Sequence, residues 1–203
     1  MERNDAEPAK RGRGRPPSVE VRRRILETAA VVLLENGVSE VTFDKVARRA
    51  GVSRMTLYKW FRSPGSLALA AFEDTYAHTL RPPSSGDVWA DLRTHLREFV
   101  ANLSEPRTGP MIAGLLGSAQ SDPVLAEEIS ATFTRPRREG AVELLHAGRT
   151  RGQLPASIDV EVLVDQLWGA CYARLLLPEG VLDEAFADAL VANLRATIHA
   201  SAD

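Results

Sequence analysis

Ser53, Arg54, Met55, Thr56, Tyr58, Lys59 and Trp60 place hydroxyls, cations and aromatic rings within one short stretch, eleven residues after Thr42. Side chains of these types hydrogen-bond to phosphate oxygens and to base edges, and an apolar Met packs against a thymine methyl. They need a rigid element to project from. Thr42 and Ser53 are helix-capping residue types, and Gly51 takes the left-handed conformation that ends a helix. The stretch therefore predicts helix 42–50, a tight turn at Gly51-Val52 and helix 53–61. Ala47 and Ala50 are small enough for the two helices to cross closely. This is a helix-turn-helix whose second member offers polar and cationic side chains near its N-terminus, suited to the major groove of DNA. The competing reading of the pattern is a helical corner inside a bundle.

A second cationic group precedes it. Residues 1–17 are polar, without a large apolar residue, and end in Lys10-Arg11-Gly12-Arg13-Gly14-Arg15-Pro16-Pro17. Such a segment has nothing to pack and is expected to be a disordered arm. The run Gly12 to Pro17 resembles an AT-hook, whose extended Arg-Gly-Arg-Pro core lies in a narrow minor groove. Arg13 and Arg15 suit the negative potential there. A solvated tail that merely raises non-specific affinity is the alternative.

The charge distribution agrees with both signals. Residues 1–62 carry 14 Lys and Arg against 8 Asp and Glu, whereas residues 63–203 carry 11 against 19. A basic end on an acidic remainder points to one part that meets a polyanion and another with a separate task. The chain has 203 residues, 44% hydrophobic and 26% charged, which is ordinary for a globular protein of one or two domains. Cys171 is the sole cysteine, so no internal disulfide forms. No apolar run reaches the roughly 18 residues of a membrane span, and the N-terminus is charged where a secretory signal needs an apolar core. The expectation is a cytoplasmic protein that does not engage membranes.

The elements that position these residues read as helices throughout. Ser18 opens a helix with Ile25, Ala29, Val32 and Leu33 on one face, closed by Asn36-Gly37. Pro64 starts another that runs to about Leu80, before the breaker Pro82 to Gly86. Asp87 caps a helix carrying Val88, Leu92, Leu96, Phe99 and Leu103. Glu105 to Pro110 reads as a loop and Met111 to Ala119 as a short apolar helix. Asp122-Pro123 begins a long helix through Leu145 that Pro136 kinks. Gly152 to Ser157 is a turn, Asp159 opens Val160 to Leu177, Pro178-Glu179-Gly180 breaks the chain, and Leu182 to Ile198 closes it. The fold class is all-α.

Catalysis finds no support in these residues. His78, His95, His146 and His199 are scattered, without metal-ligand pairing, and there is no Gly-rich phosphate loop. Cys171, with Arg174 as its nearest cation, reads as a buried structural thiol, with redox sensing as the minor option. No metal, cofactor or enzymatic activity is expected.

The run from Thr42 to Phe61 also resembles the DNA-binding signature of the tetracycline-repressor (TetR) family, in Thr42, Val46-Ala47, Ala50-Gly51-Val52-Ser53, Thr56-Leu57-Tyr58 and Phe61. The likeness extends back to Val21 and forward to Leu67. Asp122-Pro123, Arg135-Pro136-Arg137-Arg138, Arg151-Gly152-Gln153-Leu154 and Tyr172 to Leu177 resemble the regulatory domain of one TetR branch. The resemblance implies an N-terminal three-helix DNA-binding domain and a C-terminal helical ligand-binding and dimerisation domain. Residues 1–17 would be the arm, 18–66 the DNA-binding domain and 67–203 the regulatory domain. It implies a homodimer on double-stranded DNA with a near-palindromic operator, released by an unknown small molecule. Thr42 and Ser53 would cap helices at the DNA, Arg54, Met55 and Thr56 would face bases, and Tyr58, Lys59 and Trp60 would face phosphate or the groove edge. Two positions depart from the family pattern. Pro64 stands where a phosphate-binding Lys is frequent, so Arg62 must supply that phosphate contact or the protein does without it. Met55 stands where Gly or Ala is frequent.

In the regulatory half, Trp89, Phe99, Met111, Leu115, Phe133, Trp168, Cys171 and Tyr172 are candidate pocket walls, with His95, Gln120 and Gln166 as polar contacts. Ordinary core packing is the alternative for each. Gly169, in an apolar helix, allows close approach of a helix or a ligand. Segments 160–177 and 182–198 carry enough apolar surface for a four-helix dimer interface. The reading is a sequence-specific regulator. The alternatives are a DNA-architectural protein without sequence preference and a helical ligand-binding bundle whose basic end is incidental.

Overall fold

The computed structural model describes residues 18–75, 82–177 and 180–200, and the regular elements among them are helical, with no strand. The arm with Arg13 and Arg15, the expected end of a helix near Leu80, His78 and the Pro178-Glu179 break lie outside the described residues.

Helix α1 (Ser18–Asn36) buries Ile25, Leu26, Ala29, Ala30, Val32 and Leu33. Gly37 stops it at φ 84°, where its N–H donates to the Leu33 carbonyl at 2.9 Å. A 3-10 turn (Val38–Glu40) leads to α2 (Phe43–Ala50). Thr42 Oγ1 accepts the Lys45 N–H at 3.2 Å, and Gly51 closes the helix in the left-handed region at φ 64°. Helix α3 (Arg54–Tyr58) follows, capped by Ser53 Oγ, which accepts the Thr56 N–H at 3.2 Å. It is shorter than the expected 53–61. The Leu57 carbonyl accepts from both Trp60 and Phe61, at 2.9 Å each, and this tightens residues 59–60 into a turn. Helix α4 (Pro64–Thr75) then packs along α1.

Helix α5 (Val88–Ser104) is central to the body. It buries Val88, Leu92, Leu96, Phe99, Val100 and Leu103 against α6 (Thr108–Ala119), α8 (Arg135–Thr150), α9 (Val160–Leu176) and α10 (Glu184–Ala200). Helix α6 starts three residues earlier than expected. The Glu105 carboxylate accepts the N–H groups of Arg107 and Thr108 at 2.8 and 2.6 Å, and Pro110 falls in the first turn, where its missing N–H costs nothing.

The long helix expected from Pro123 is divided. Helix α7 (Pro123–Ile129) gives way to a π turn (Ser130–Thr134) before α8. Pro136 has no N–H to donate to the Thr132 carbonyl, and its ring crowds that carbonyl. The backbone widens one turn ahead, so that the Arg135 N–H reaches the Ser130 carbonyl.

The N-terminal helices, the head, rest on the remainder of the chain through α4, which packs on α6 and α7, and through the 3-10 turn, which packs on α6. A Cβ on Gly114 of α6 would lie 2.9 Å from Val38 Cγ2, so only glycine allows α6 this close to the 3-10 turn. At the start of α7, Ser63 Oγ donates to Asp122 Oδ2 at 3.1 Å, while Asp122 Oδ1 caps the helix through Val124 and Leu125.

Candidate DNA-binding face and regulatory site

The head presents α3 outward. Leu57 is fully buried and anchors it, while Met55 is 74% and Tyr58 58% exposed. Tyr58 therefore does not sit in the core. Its ring meets buried Phe43 edge to face, with centroids 4.8 Å apart, which fixes the ring and leaves the hydroxyl outside. Thr42, Ser53, Arg54 and Lys59 are exposed, and Thr56 and Trp60 are half-buried. A concave surface of about 860 Å³ runs between the start of α1 and α3, lined by Ser18, Arg24, Ser53, Met55, Thr56, Lys59 and Trp60. Of the expected DNA contacts among the described residues, Ser53, Met55, Thr56, Lys59 and Trp60 line this surface, and Thr42, Arg54 and Tyr58 do not.

Ion pairs divide the cations of the head. Lys45 is held by Asn36 and Glu40, at 3.1 and 3.0 Å, and Arg49 by Glu35 at 2.9 Å. That contact holds Glu35 below the usual carboxylate range and raises Arg49. Arg54 is paired with Asp44 through both Nε (3.0 Å) and Nη1 (3.1 Å). Arg22, Arg24, Arg48 and Lys59 make no ion pair among the described residues. Arg62 lies 4.0 Å from Glu128 of α7, and Pro64 occupies the first position of α4.

In the body, His95 and Phe99 of α5 meet Trp168 and Tyr172 of α9. Ring centroids are 5.6 Å apart for His95 and Trp168, 6.0 Å for Phe99 and Trp168, and 5.4 Å for Phe99 and Tyr172. Phe133, in the π turn, packs edge to face on Phe72 of α4 at 5.8 Å. Arg137 of α8 lies over the Phe133 ring, 3.8 Å from its centroid, and donates to the Phe133 carbonyl at 2.7 Å. His95 is 1% exposed and both of its ring nitrogens lack a hydrogen-bond partner, as does the buried Nε1 of Trp168. Burial, with a smaller contribution from the Arg137 charge, pushes the His95 pKa down to about 4. Burial pushes Tyr172 and Cys171 up to about 12, so both stay protonated at neutral pH. The Cys171 thiol donates within its own helix to Leu167 at 3.3 Å.

The other expected pocket residues are distributed differently. Trp89 is buried beneath Arg195, whose guanidinium lies 5.7 Å from the indole. Leu115 and Phe133 border an apolar void of about 10 Å³, too small for a ligand, and Met111 is core. Gln120 and Gln166 do not join the cluster. Both are exposed, and Gln120 bonds the carbonyl of Leu116 in its own helix at 3.2 Å. A groove of about 500 Å³ opens between the α8 N-terminus and α9 instead, bordered by Arg135, Arg137, Trp168, Gly169 and Tyr172. The sequence names Arg135 and Arg137 only within a family likeness and does not place them at a groove. The i, i+4 spacing of Phe133 and Arg137 was the available signal.

A capped helix-turn-helix seated on an all-helical body defines a DNA-binding transcriptional regulator. Comparison with known proteins agrees. Residues 25–71 match the family described as bacterial regulatory proteins, tetR family, and residues 82–194 match the tetracyclin repressor-like C-terminal domain. The chain belongs to the TetR family and is a helix-turn-helix transcriptional regulator. It is 36% identical over 181 residues to the uncharacterized HTH-type transcriptional regulator YdeS of Bacillus subtilis (strain 168), covering 89% of this chain and 91% of that protein. It resembles the crystal structure of the TetR family transcription regulator SCO0332 at 44% identity and TM-score 0.68, over 87% and 97% of the two chains. The SmeT–triclosan complex shares the fold, with 22% identity, TM-score 0.62 and coverage of 88% and 90%.

Proposed function

We propose that the chain is a dimeric, cytoplasmic repressor that a small molecule releases from a near-palindromic operator. The observation that carries this reading is α3, capped by Ser53, pinned by buried Leu57 and presenting Met55, Tyr58 and Lys59 to solvent. In this reading the head comprises residues 18–66 and the regulatory part 67–203, with α4 crossing between them, and no catalytic step is involved.

Helix α3 of each subunit enters successive major grooves. Thr42 and Ser53 aim helix N-termini at phosphate. Arg54, Met55 and Thr56 face bases, and Tyr58, Lys59 and Trp60 meet phosphate or the groove edge. Arg54 must share or leave Asp44 to do so, which makes its base contact conditional on DNA. Arg62 faces Glu128, so the contact that Pro64 cannot make is not readily replaced. The arm would bring Arg13 and Arg15 to the minor groove. Ser18, where it joins α1, lines the same concave surface as Met55 and Lys59, which supports this role.

Dimerisation would use segments 160–177 and 182–198. Val162, Leu176 and Leu177 are exposed there, Val181 is exposed in the connection between the two segments, and Leu190, Leu194 and Ile198 are half-buried. A ligand in the body releases DNA if it binds the non-DNA arrangement of the heads better. Triclosan bound to the fold neighbour SmeT is consistent with a ligand site on this scaffold.

The test is selection of bound fragments from genomic DNA by the purified protein at near-physiological salt. Enrichment of an inverted repeat is the expected result. Enrichment of A·T-rich DNA without a repeat would transfer the function to an architectural role. Absence of any salt-dependent binding would leave a ligand-binding bundle with an incidental basic end.

A further inference from the structure

We propose that the regulatory ligand is an organic anion with a planar apolar body, held in the groove between α8 and α9 by Arg135, Arg137 and the indole N–H of Trp168. The proposal rests on the ligand-release reading above and names the chemistry of its site.

The groove encloses about 500 Å³, the size of a small-molecule site. Its wall is open at Gly169, where an added Cβ would meet no atom within 4 Å. Trp168 borders it, 6% exposed, with its Nε1 buried and unpartnered. His95 stands against Trp168 with both ring nitrogens also unpartnered. Buried polar side chains are satisfied in nearly all protein interiors, so the unpartnered indole N–H of Trp168 at the groove, backed by unpartnered His95 behind it, calls for a ligand with a hydrogen-bonding oxygen.

The charge of the groove sets the sign of that ligand. Arg138 is shared between Asp165 on the rim and Glu161, a triad of net charge −1, so the positive excess of the groove comes from Arg135 and Arg137. Arg135 makes no ion pair among the described residues and reaches Ser130 Oγ at 3.5 Å. Arg137 lines the groove as a second guanidinium, half-buried over Phe133, where burial lowers its pKa and the Glu73 carboxylate partly offsets that effect. Two guanidinium groups and an N–H donor favour a carboxylate or a similar oxyanion. The faces of Trp168 and Tyr172 favour a flat apolar body.

The same residues give such a ligand a route to the DNA-binding head. Arg137 covers Phe133, and Phe133 abuts Phe72 on α4, which packs along α1. A carboxylate that draws Arg137 toward the groove removes the cover from Phe133 and changes its contact with α4.

Calorimetric titration of the full-length protein with 2-naphthoate and with its neutral counterpart 2-naphthamide tests this. The expected result is binding of naphthoate at least about tenfold tighter than naphthamide, the scale of one charge-assisted hydrogen bond. Arg135→Gln changes an exposed side chain and should remove most of that preference. Trp168→Phe keeps a ring but loses the N–H, and should weaken naphthoate by roughly tenfold. Equal or tighter binding of naphthamide, an unchanged preference in Arg135→Gln, or no binding of either compound at millimolar concentration would overturn the proposal. Release of an operator fragment is read in parallel. Release by neutral compounds alone would overturn the anion assignment and leave the release reading standing. Naphthoate bound in the groove without any effect on DNA would instead overturn its regulatory role.

Discussion

The rings of Phe72 and Phe133 meet edge to face, 5.8 Å between centroids at an interplanar angle of 67°. One ring belongs to α4, the other to the π turn ahead of Pro136, so in the proposed mechanism this contact carries a change in the regulatory body to α4. Arg137 covers the second face of the relationship, 3.8 Å from the Phe133 centroid. Phe133→Leu retains apolar volume but loses both the edge contact and the cation–π contact. It should cost about 1–2 kcal/mol in stability, keep operator affinity, and weaken release by any effector. Denaturant unfolding and fluorescence anisotropy on the same protein check this. An unaltered effector response would remove Phe133 from the coupling route.

Asp122 holds the head and body together while also capping α7. Its Oδ1 accepts two backbone N–H groups and its Oδ2 accepts from Ser63. Asp122→Ala should lower unfolding free energy by about 1–2 kcal/mol, the usual cost of losing an N-cap. Ser63→Ala should cost less, because it leaves the cap of α7 intact. Equal losses in the two variants would contradict the division of roles between the two oxygens.

At the DNA face, Lys59→Ala should weaken binding to all sequences alike. It should reduce the slope of log affinity against log salt by about two per dimer, about one for each phosphate that Lys59 no longer neutralises. Tyr58→Phe should keep the edge contact with Phe43 and reveal the share carried by the hydroxyl, whereas Tyr58→Ala removes both. Titration of duplex DNA at several salt concentrations separates these effects. Unchanged affinity and slope in Lys59→Ala and Tyr58→Ala would withdraw their assignment.

Acid should destabilise the body through His95. Its folded pKa lies near 4, below the ordinary value of 6.5, because burial disfavours the charged ring and Arg137 adds to the effect. The unfolded chain therefore binds the proton first. Stability is complete above about pH 6.5 and falls between pH 6.5 and 4, by a total on the order of 3 kcal/mol. Thermal unfolding at pH 7 and pH 5 measures this. His95→Leu should flatten the dependence, and an equally steep decline in the variant would assign it to other groups.

The legible parts of this molecule were the local ones. Thr42, Gly51, Ser53, Asp87, Asp122 and Asp159 act within a few residues of themselves, and the capping they predict is present. The start of α6 was missed because Glu105 caps from a position that looked like loop, and Pro110 looked like a breaker although it sits in the first turn. Pro136 signalled a disturbance without its form, since the widening of residues 130–134 occurs upstream of the proline. Gln120 and Gln166 were misplaced because one helical position is a rotation of about 100°, and composition does not tell which face turns inward. The groove lay beyond sequence reading for a related reason. Arg135 and Arg137 stood in a run of cations that read as a family likeness, and their juxtaposition with Trp168 is tertiary.

The central claim is sequence-specific recognition by a dimer. It is tested most directly by measuring, at one near-physiological salt concentration, the affinity of the purified protein for a selected inverted repeat, for a single half-site and for a scrambled duplex of equal length. The account predicts at least about a thousandfold preference for the repeat over the scrambled duplex, with two subunits bound and the half-site far weaker. Equal affinity for all three would contradict it.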